Sequence, residues 1–243
     1  MKSSPNQMPR ALAAEAIGTF FLLATIVGSG IMADSLAGGN GGLALLCNAI
    51  ATGAMLVVLI LVFGPVSGAH FNPAVTLHFV LTCRMEPKLG TYYVCTQILS
   101  AILGVLAAHA MFDVSLIAMG TTARDGGAQW LGEFLATFAL LSAIIGCLRH
   151  RPEAVPYAVG LVIVAGYWYT SSTSFANPAV TIARALTDTF AAIRPQDVVP
   201  FSIAQLAGAV AATAFFRWLS GHDPIANCRR FLSWTCETQV RRS

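Results

Sequence analysis

Charge is what this chain most lacks. Asp, Glu, Lys and Arg together make up 10% of its 243 residues, against 56% hydrophobic residues. Soluble domains carry roughly 25% charged residues, so a surface this sparse would associate in water, and lipid is the expected solvent. The net charge of +3 is small, and no Lys/Arg run is dense enough for a nucleic-acid surface. The cysteines are Cys47, Cys83, Cys95, Cys147, Cys228 and Cys236. They show no paired metal-ligand spacing, and no extracellular loop holds a pair. The first four lie in or beside apolar stretches and read as small core hydrophobes. Cys228 and Cys236 sit in a basic tail and read as reduced thiols, with a metal or redox pair as the alternative. No nucleophile–base pair stands out, so an enzyme is not expected, and neither is a cofactor.

What is present is apolar sequence of membrane-crossing length. Lys2 and Arg10 precede an apolar stretch, as in a signal peptide, but it runs over 11–33 and carries Glu15. A signal core spans only about 7–15 residues, so this is read as a retained first span. A spanning helix needs about 20 mainly apolar residues, and the stretches that qualify are 11–33, 43–64, 91–112, 130–149, 155–172 and 201–220. Two shorter apolar stretches, 72–83 and 177–190, each open with Asn-Pro. Asn is a good helix N-cap and Pro is favoured in the first turn, so each reads as a half-helix beginning there. Ser100, Gly104 and Ala108, like Ala204, Gly208 and Ala212, fall at four-residue spacing, which lets helix backbones approach closely.

Six spans place both termini on one side, together with Lys2, Arg10, Arg84, Lys88, Arg149, Arg151, Arg217 and the tail arginines. Arg124, Arg184 and Arg194 fall on the other. This asymmetry predicts cytoplasmic termini.

The chain also repeats itself. Ala14-Glu15-Ala16-Ile17-Gly18-Thr19-Phe20 echoes Gly132-Glu133-Phe134-Leu135-Ala136-Thr137-Phe138. His70-Phe71-Asn72-Pro73-Ala74-Val75-Thr76-Leu77 echoes Phe175-Ala176-Asn177-Pro178-Ala179-Val180-Thr181-Ile182, and Gln97 and Ala101 echo Gln205 and Ala209. Matches in the same order at similar offsets indicate duplication. Each copy holds three spans, an odd number, so the second inserts inverted and the two half-helices meet near the midplane. The expected fold is thus an all-α membrane protein of six transmembrane helices plus two half-helices. It forms a single domain over 1–243, with repeats at about 11–112 and 130–220 and a basic tail at 221–243. Helix N-termini carry unpaired N–H groups and partial positive charge. Two of them at one depth, with Asn72 and Asn177 aiming amides at the lumen, favour neutral acceptors and repel cations.

The two Asn-Pro-Ala triplets, Asn72-Pro73-Ala74 and Asn177-Pro178-Ala179, in an inverted six-span repeat resemble the aquaporin or major intrinsic protein family. The resemblance covers 11–220, nearly the whole chain. It implies a homotetramer in the lipid bilayer with one pore per subunit, passing small neutral solutes. Glu15 and Glu133 then accept hydrogen bonds from the unwound backbone of the pore loops, with proton carriage as the alternative. His70 lines the cytoplasmic vestibule in a packing role, a pH sensor being the alternative.

The sequence departs from the family where most members carry Arg after the second triplet. Val180 stands there, and the next basic residue, Arg184, is one turn on and on the same face, where it can approach the outer vestibule but not occupy that constriction. Family spacing puts the other filter positions at Thr52, Ala165 (alternatively Gly166) and Ser174. The filter is therefore expected to be wide, built from small residues, and without a fixed cation at its outer mouth. Thr181 is not the Asp typical of glycerol facilitators. The Thr and Val combination resembles bacterial aquaporin-like channels linked to arsenic resistance, in the inner membrane. That resemblance implies passage of arsenite as As(OH)3, of methylated arsenicals and of small polyols, with water alongside. An ordinary water or glycerol channel and an ion-coupled secondary transporter are the competing readings.

Overall fold

The computed structural model describes residues 7–221. Lys2 and the basic tail with Cys228 and Cys236 lie outside the described residues. All regular elements within them are helical: α1 Gln7–Leu36, α2 Gly41–Ser67, α3 Pro73–Leu81, α4 Pro87–Met111, α5 Gly127–His150, α6 Val155–Tyr169, α7 Pro178–Arg184 and α8 Val198–Leu219. Five helices are long and apolar enough to cross a membrane: α1, α2, α4, α5, and α8 with the turn before it. α6, with 15 residues, falls short of that length. At about 1.5 Å per residue it covers roughly 22 Å, and a 3-10 turn over Pro152–Ala154 extends it at the start. The apolar pattern predicted this helix to 172, but the backbone turns extended at Thr170, where the chain re-enters toward the second triplet.

The two halves pack alike. α1 lies along α4, and α5 along α8. At each crossing a glycine touches backbone: a Cβ on Gly104 would run into the Phe20 carbonyl oxygen, and one on Gly208 into that of Phe134. The small-residue stripes thus set the distance between helices. α2 and α6 cross reciprocally, since a Cβ on Gly53 would meet the Gly160 carbonyl at 2.9 Å and one on Gly160 the Gly53 carbonyl at 2.7 Å. Equivalent residues of the two repeats face each other there, as a twofold relation requires.

The outward faces are apolar, with Ile17, Phe21, Leu99, Leu103, Leu161 and Ile203 all exposed. The inside holds the buried polar residues, among them Glu15, Asn72, Gln97, Glu133, Asn177 and Gln205. This inversion suits a lipid solvent. Cys47 and Cys95 are exposed on the outer faces and Cys147 is half-buried. The expectation of core cysteines fails for them, because an apolar stretch in a membrane helix has an apolar exposed side as well.

Both half-helices begin at their prolines. α7 is shorter than the stretch 177–190 predicted, ending at Arg184. Beyond it, the backbone bonds to the loop before α5 instead of continuing the helix: Gly120 N–H donates to Ala185 and Ala118 N–H to Leu186. That loop brings Arg124 beside Ala192 and Arg194 beside Asp125, so Arg124, Arg184 and Arg194 share one end of the molecule, as the charge pattern implied.

Candidate functional site

Asn72 and Asn177 each cap their own half-helix. The Asn72 Oδ1 accepts from Ala74 N–H at 2.8 Å, and the Asn177 Oδ1 accepts from Ala179 N–H at 3.0 Å and Val180 N–H at 3.4 Å. Each then reaches across to the other repeat. Asn72 Nδ2 donates to the Ala176 carbonyl at 2.8 Å, and Asn177 Nδ2 donates to the Phe71 carbonyl at 2.8 Å. An amide nitrogen carries two hydrogens, so this brace leaves each asparagine one further N–H.

The loops ahead of the caps are strained. Ala69, Phe71, Ser174 and Ala176 all have positive φ, at 50°, 48°, 52° and 49°, a region non-glycine residues seldom adopt. They fall three and one residues before each asparagine. The surrounding structure must hold such a conformation, and the buried glutamates do so. Glu15 accepts from His70 N–H at 2.9 Å and Phe71 N–H at 2.7 Å; Glu133 accepts from Phe175 N–H at 2.8 Å and Ala176 N–H at 2.9 Å. Each carboxylate is steadied in turn by a glutamine that spans to the half-helix. Gln97 Nε2 donates to Glu15 at 2.8 Å and Thr76 Oγ1 at 3.1 Å; Gln205 Nε2 donates to Glu133 at 2.5 Å and Thr181 Oγ1 at 2.8 Å. Thr76 and Thr181 pass the bond to the Asn72 and Asn177 carbonyls. Ser67 adds a fourth donor to Glu15. Taking a carboxylate out of water costs several kcal/mol, and charge-assisted hydrogen bonds of about 1.5–3 kcal/mol each offset it. The glutamates are therefore tied into the loops on every side the structure describes.

A cavity of about 470 Å³ runs past this centre, lined by both asparagines, His70, Thr52, Tyr167, Ser174, Phe175, Val180 and Arg184. Leu22 and Ile26 of α1, and their repeat partners Leu140 and Ile144 of α5, give it an aliphatic wall. His70 is buried, stacks on Phe79 at 4.5 Å and bonds through Nδ1 to Thr76 Oγ1 at 3.1 Å, which occupies its ring in packing.

Of the filter positions read from family spacing, Thr52, Ser174 and Val180 line the cavity and Ala165 does not; it is exposed on the outside. α6 lines the cavity with Val155 and Pro156 at its start and then with Val159, Ile163 and Tyr167, at four-residue spacing. Ala165, two positions from Tyr167, is turned about 200° away. Gly166 is buried against Ser174, with no room for a side chain. Tyr167, whose hydroxyl is 3.3 Å from Thr52 Oγ1, takes the place expected of a small residue.

A cation also lines the cavity, where the reading of the filter expected none. Arg184 is 3% exposed and lines the cavity, its guanidinium carbon 3.5 Å from the Phe175 ring centre, and its Nε donates to the Ala191 carbonyl. Side chains on a helix lean toward its N-terminus. A long one at the end of α7 therefore returns to the depth of the turn before it. Arg124 approaches the same ring at 4.8 Å. Its side chain is tied to the carbonyls of Ala192 at 2.9 Å and Ser172 at 3.1 Å. Burial lowers the Arg124 pKa from its ordinary value, while Glu133, Tyr167 and Asp197 act the other way.

The model of the family described as major intrinsic protein matches residues 2–167 and 128–236 in two overlapping segments. Aquaglyceroporin AqpS of Rhizobium meliloti (strain 1021) is 52% identical over 212 residues, covering 87% of this chain and 91% of its own length. A probable aquaporin, NIP4-2 of Arabidopsis thaliana, is 32% identical, covering 76% of this chain and 67% of its own. The aquaglyceroporin structure from Plasmodium falciparum matches with a TM-score of 0.70 over 86% of this chain and 95% of its own, at 22% identity, a likeness of fold. The family model spans both repeats, and a relative more than half identical matches over most of its length; the chain belongs to the major intrinsic protein family.

Proposed function

We propose that this channel passes small uncharged hydroxylated solutes, As(OH)3, methylated arsenicals and small polyols among them, with water alongside. Proteins of this family are membrane channels, not enzymes. The observation that carries the reading is the pair of asparagines at the two half-helix starts, facing one cavity with an aliphatic opposite wall. Each holds one N–H in the cross-brace and has one to offer the lumen. A solute oxygen that accepts from both fixed donors is oriented, and a water so oriented cannot hand a proton along the file. The partial positive charge of the half-helix ends repels cations at the same depth.

Arsenite is largely uncharged at neutral pH and presents three hydroxyls, much like a small polyol. Val180 leaves aperture for such a solute where a long side chain would close it. The 52% identical relative bears the name aquaglyceroporin, which supports the polyol class. The pore would sit in a bacterial inner membrane with both termini cytoplasmic, an orientation supported by Arg124, Arg184 and Arg194 at one end. Four copies would assemble, as the family resemblance implies, and the mass of the detergent-solubilised particle reads that number directly.

Val180→Arg tests the aperture. A guanidinium there, with Arg184 one turn on, narrows the passage and adds like charge. Glycerol and arsenite uptake into proteoliposomes should fall by about tenfold or more, about 1.4 kcal/mol in barrier, while water permeability persists. Unchanged uptake of both solutes at equal insertion removes Val180 from the filter and the arsenical reading with it.

A further inference from the structure

We infer that Arg184 is a specificity-determining residue of this pore, supplying from the end of α7 the fixed cation that the position after Asn177-Pro178-Ala179 lacks. The inference rests on the channel reading above and assigns its cation exclusion to a particular side chain.

The geometry carries it. Arg184 is the last residue of α7, and its side chain turns back over Val180's turn to lie 3.5 Å from the Phe175 ring centre. Phe175 stands two residues before Asn177, so the charge sits at the depth of the pore loop. The ring and the Ala191 carbonyl, which accepts from Nε, fix its position. Among the described residues no carboxylate pairs with it; the ion pairs there join Arg194 to Asp125 and Asp197. The hydrogen bond its guanidinium makes among those residues is from Nε to the Ala191 carbonyl, and the residue lines the cavity. A side chain 3% exposed that lines the cavity has its remaining N–H groups to offer there.

The second arginine behaves differently. Arg124 shares the same ring, but its Nε and Nη1 are bonded to Ala192, Ser172 and Thr173. Its guanidinium braces the loops around the filter. The two side chains therefore differ in role, since Arg124 shapes the outer wall and adds positive field, and Arg184 meets the solute. Two like charges close together, with no carboxylate lining the cavity among the described residues, create a positive potential that a cation must climb. Guanidinium donates and never accepts, so it welcomes the oxygen of a neutral hydroxylated solute. It sits one turn behind Val180, held against the Phe175 ring and off the Val180 position itself. Passage of a neutral hydroxylated solute and cation exclusion can then coexist.

The test compares Arg184→Met, Arg184→Gln and Arg184→Lys with wild type in proteoliposomes, measuring glycerol flux and potassium leak on the same vesicles. Arg184→Met should still pass glycerol while potassium leak rises on the order of tenfold or more, about 1.4 kcal/mol of lost barrier. Arg184→Lys, which keeps the charge, should hold potassium at the wild-type level, a rescue that a packing role would not produce. Arg184→Gln keeps an N–H donor for Ala191 and is read in the same way where the Met variant does not insert. Glycerol flux with wild-type potassium exclusion in an uncharged variant overturns the inference, as does failure of both uncharged variants to insert, which makes Arg184 structural. A wild type that passes no glycerol overturns the channel reading itself and is distinguished by that result alone.

Discussion

Asn72 and Asn177 carry the most chemistry per atom in the molecule. Each oxygen caps a helix, one N–H crosses to the other repeat, and the second N–H is left for the lumen. Asn177→Asp exchanges a donor for a negative acceptor facing the Phe71 carbonyl. The brace is lost, and a carboxylate at two helix N-termini cancels the positive field there. Potassium leak should rise and glycerol flux fall, with Asn72→Asp behaving alike; proteoliposome flux at matched protein content reads both. Wild-type exclusion and wild-type flux in both variants would contradict the roles given to the asparagines. These two residues were legible in the sequence because capping is local and needs only the Asn-Pro pair. Glu15 and Glu133 stood out as carboxylates in apolar spans, and Gln97 and Gln205 only as echoes of one another, because their bonds cross from one helix to the next. Tyr167 was missed through reliance on family spacing, which selected Ala165. The four-residue period Val159, Ile163, Tyr167 would have placed the ring on the lumen face. Arg184 was legible as a neighbour of Val180 on the same face of α7, but its reach back toward Phe175 was not, because its backbone position was counted without the direction of its side chain. Nothing in the sequence joins Arg124 to Ser172, 48 positions away.

The elements hold that geometry by close approach. α8 carries Gln205, which reaches Glu133 on α5, and the two helices touch at Gly208. Gly208→Val puts methyl groups into the Phe134 carbonyl and separates the pair. Overpacking of this kind costs about 1–3 kcal/mol, and it pulls Gln205 from the carboxylate that holds the second loop. The thermal midpoint in detergent should fall and solute flux with it. Gly64→Ala is the control, since a Cβ at Gly64 meets nothing within 4 Å; it should match or exceed wild-type stability, as Ala is the better helix former by about 1 kcal/mol. Equal midpoints for Gly208→Val and wild type would show that the helices can part without cost. Element types were legible throughout, but lengths were not. α6 stops at Tyr169 although the stretch to 172 was counted as span, and α7 stops at Arg184 although apolar residues follow. In both places the backbone finds partners outside the helix, which hydropathy does not record.

At the largest scale the described residues form two similarly packed halves, α1–α4 and α5–α8, meeting at the half-helices α3 and α7. The exposed faces are apolar, the buried glutamates and glutamines hold the pore loops, and a cavity passes the centre. The inverted repeat was readable from the triplets and the glutamates, and the fold follows from it. A rigid centre of this kind has fixed donors and no ion-ligating site that changes between two states, so it predicts permeation without coupling. The direct test is glycerol and arsenite flux into wild-type proteoliposomes across rising solute gradients, with and without imposed proton and sodium gradients. Flux should grow in proportion to the solute gradient, ignore the ion gradients and carry no current. Saturating flux that follows an ion gradient would contradict the account.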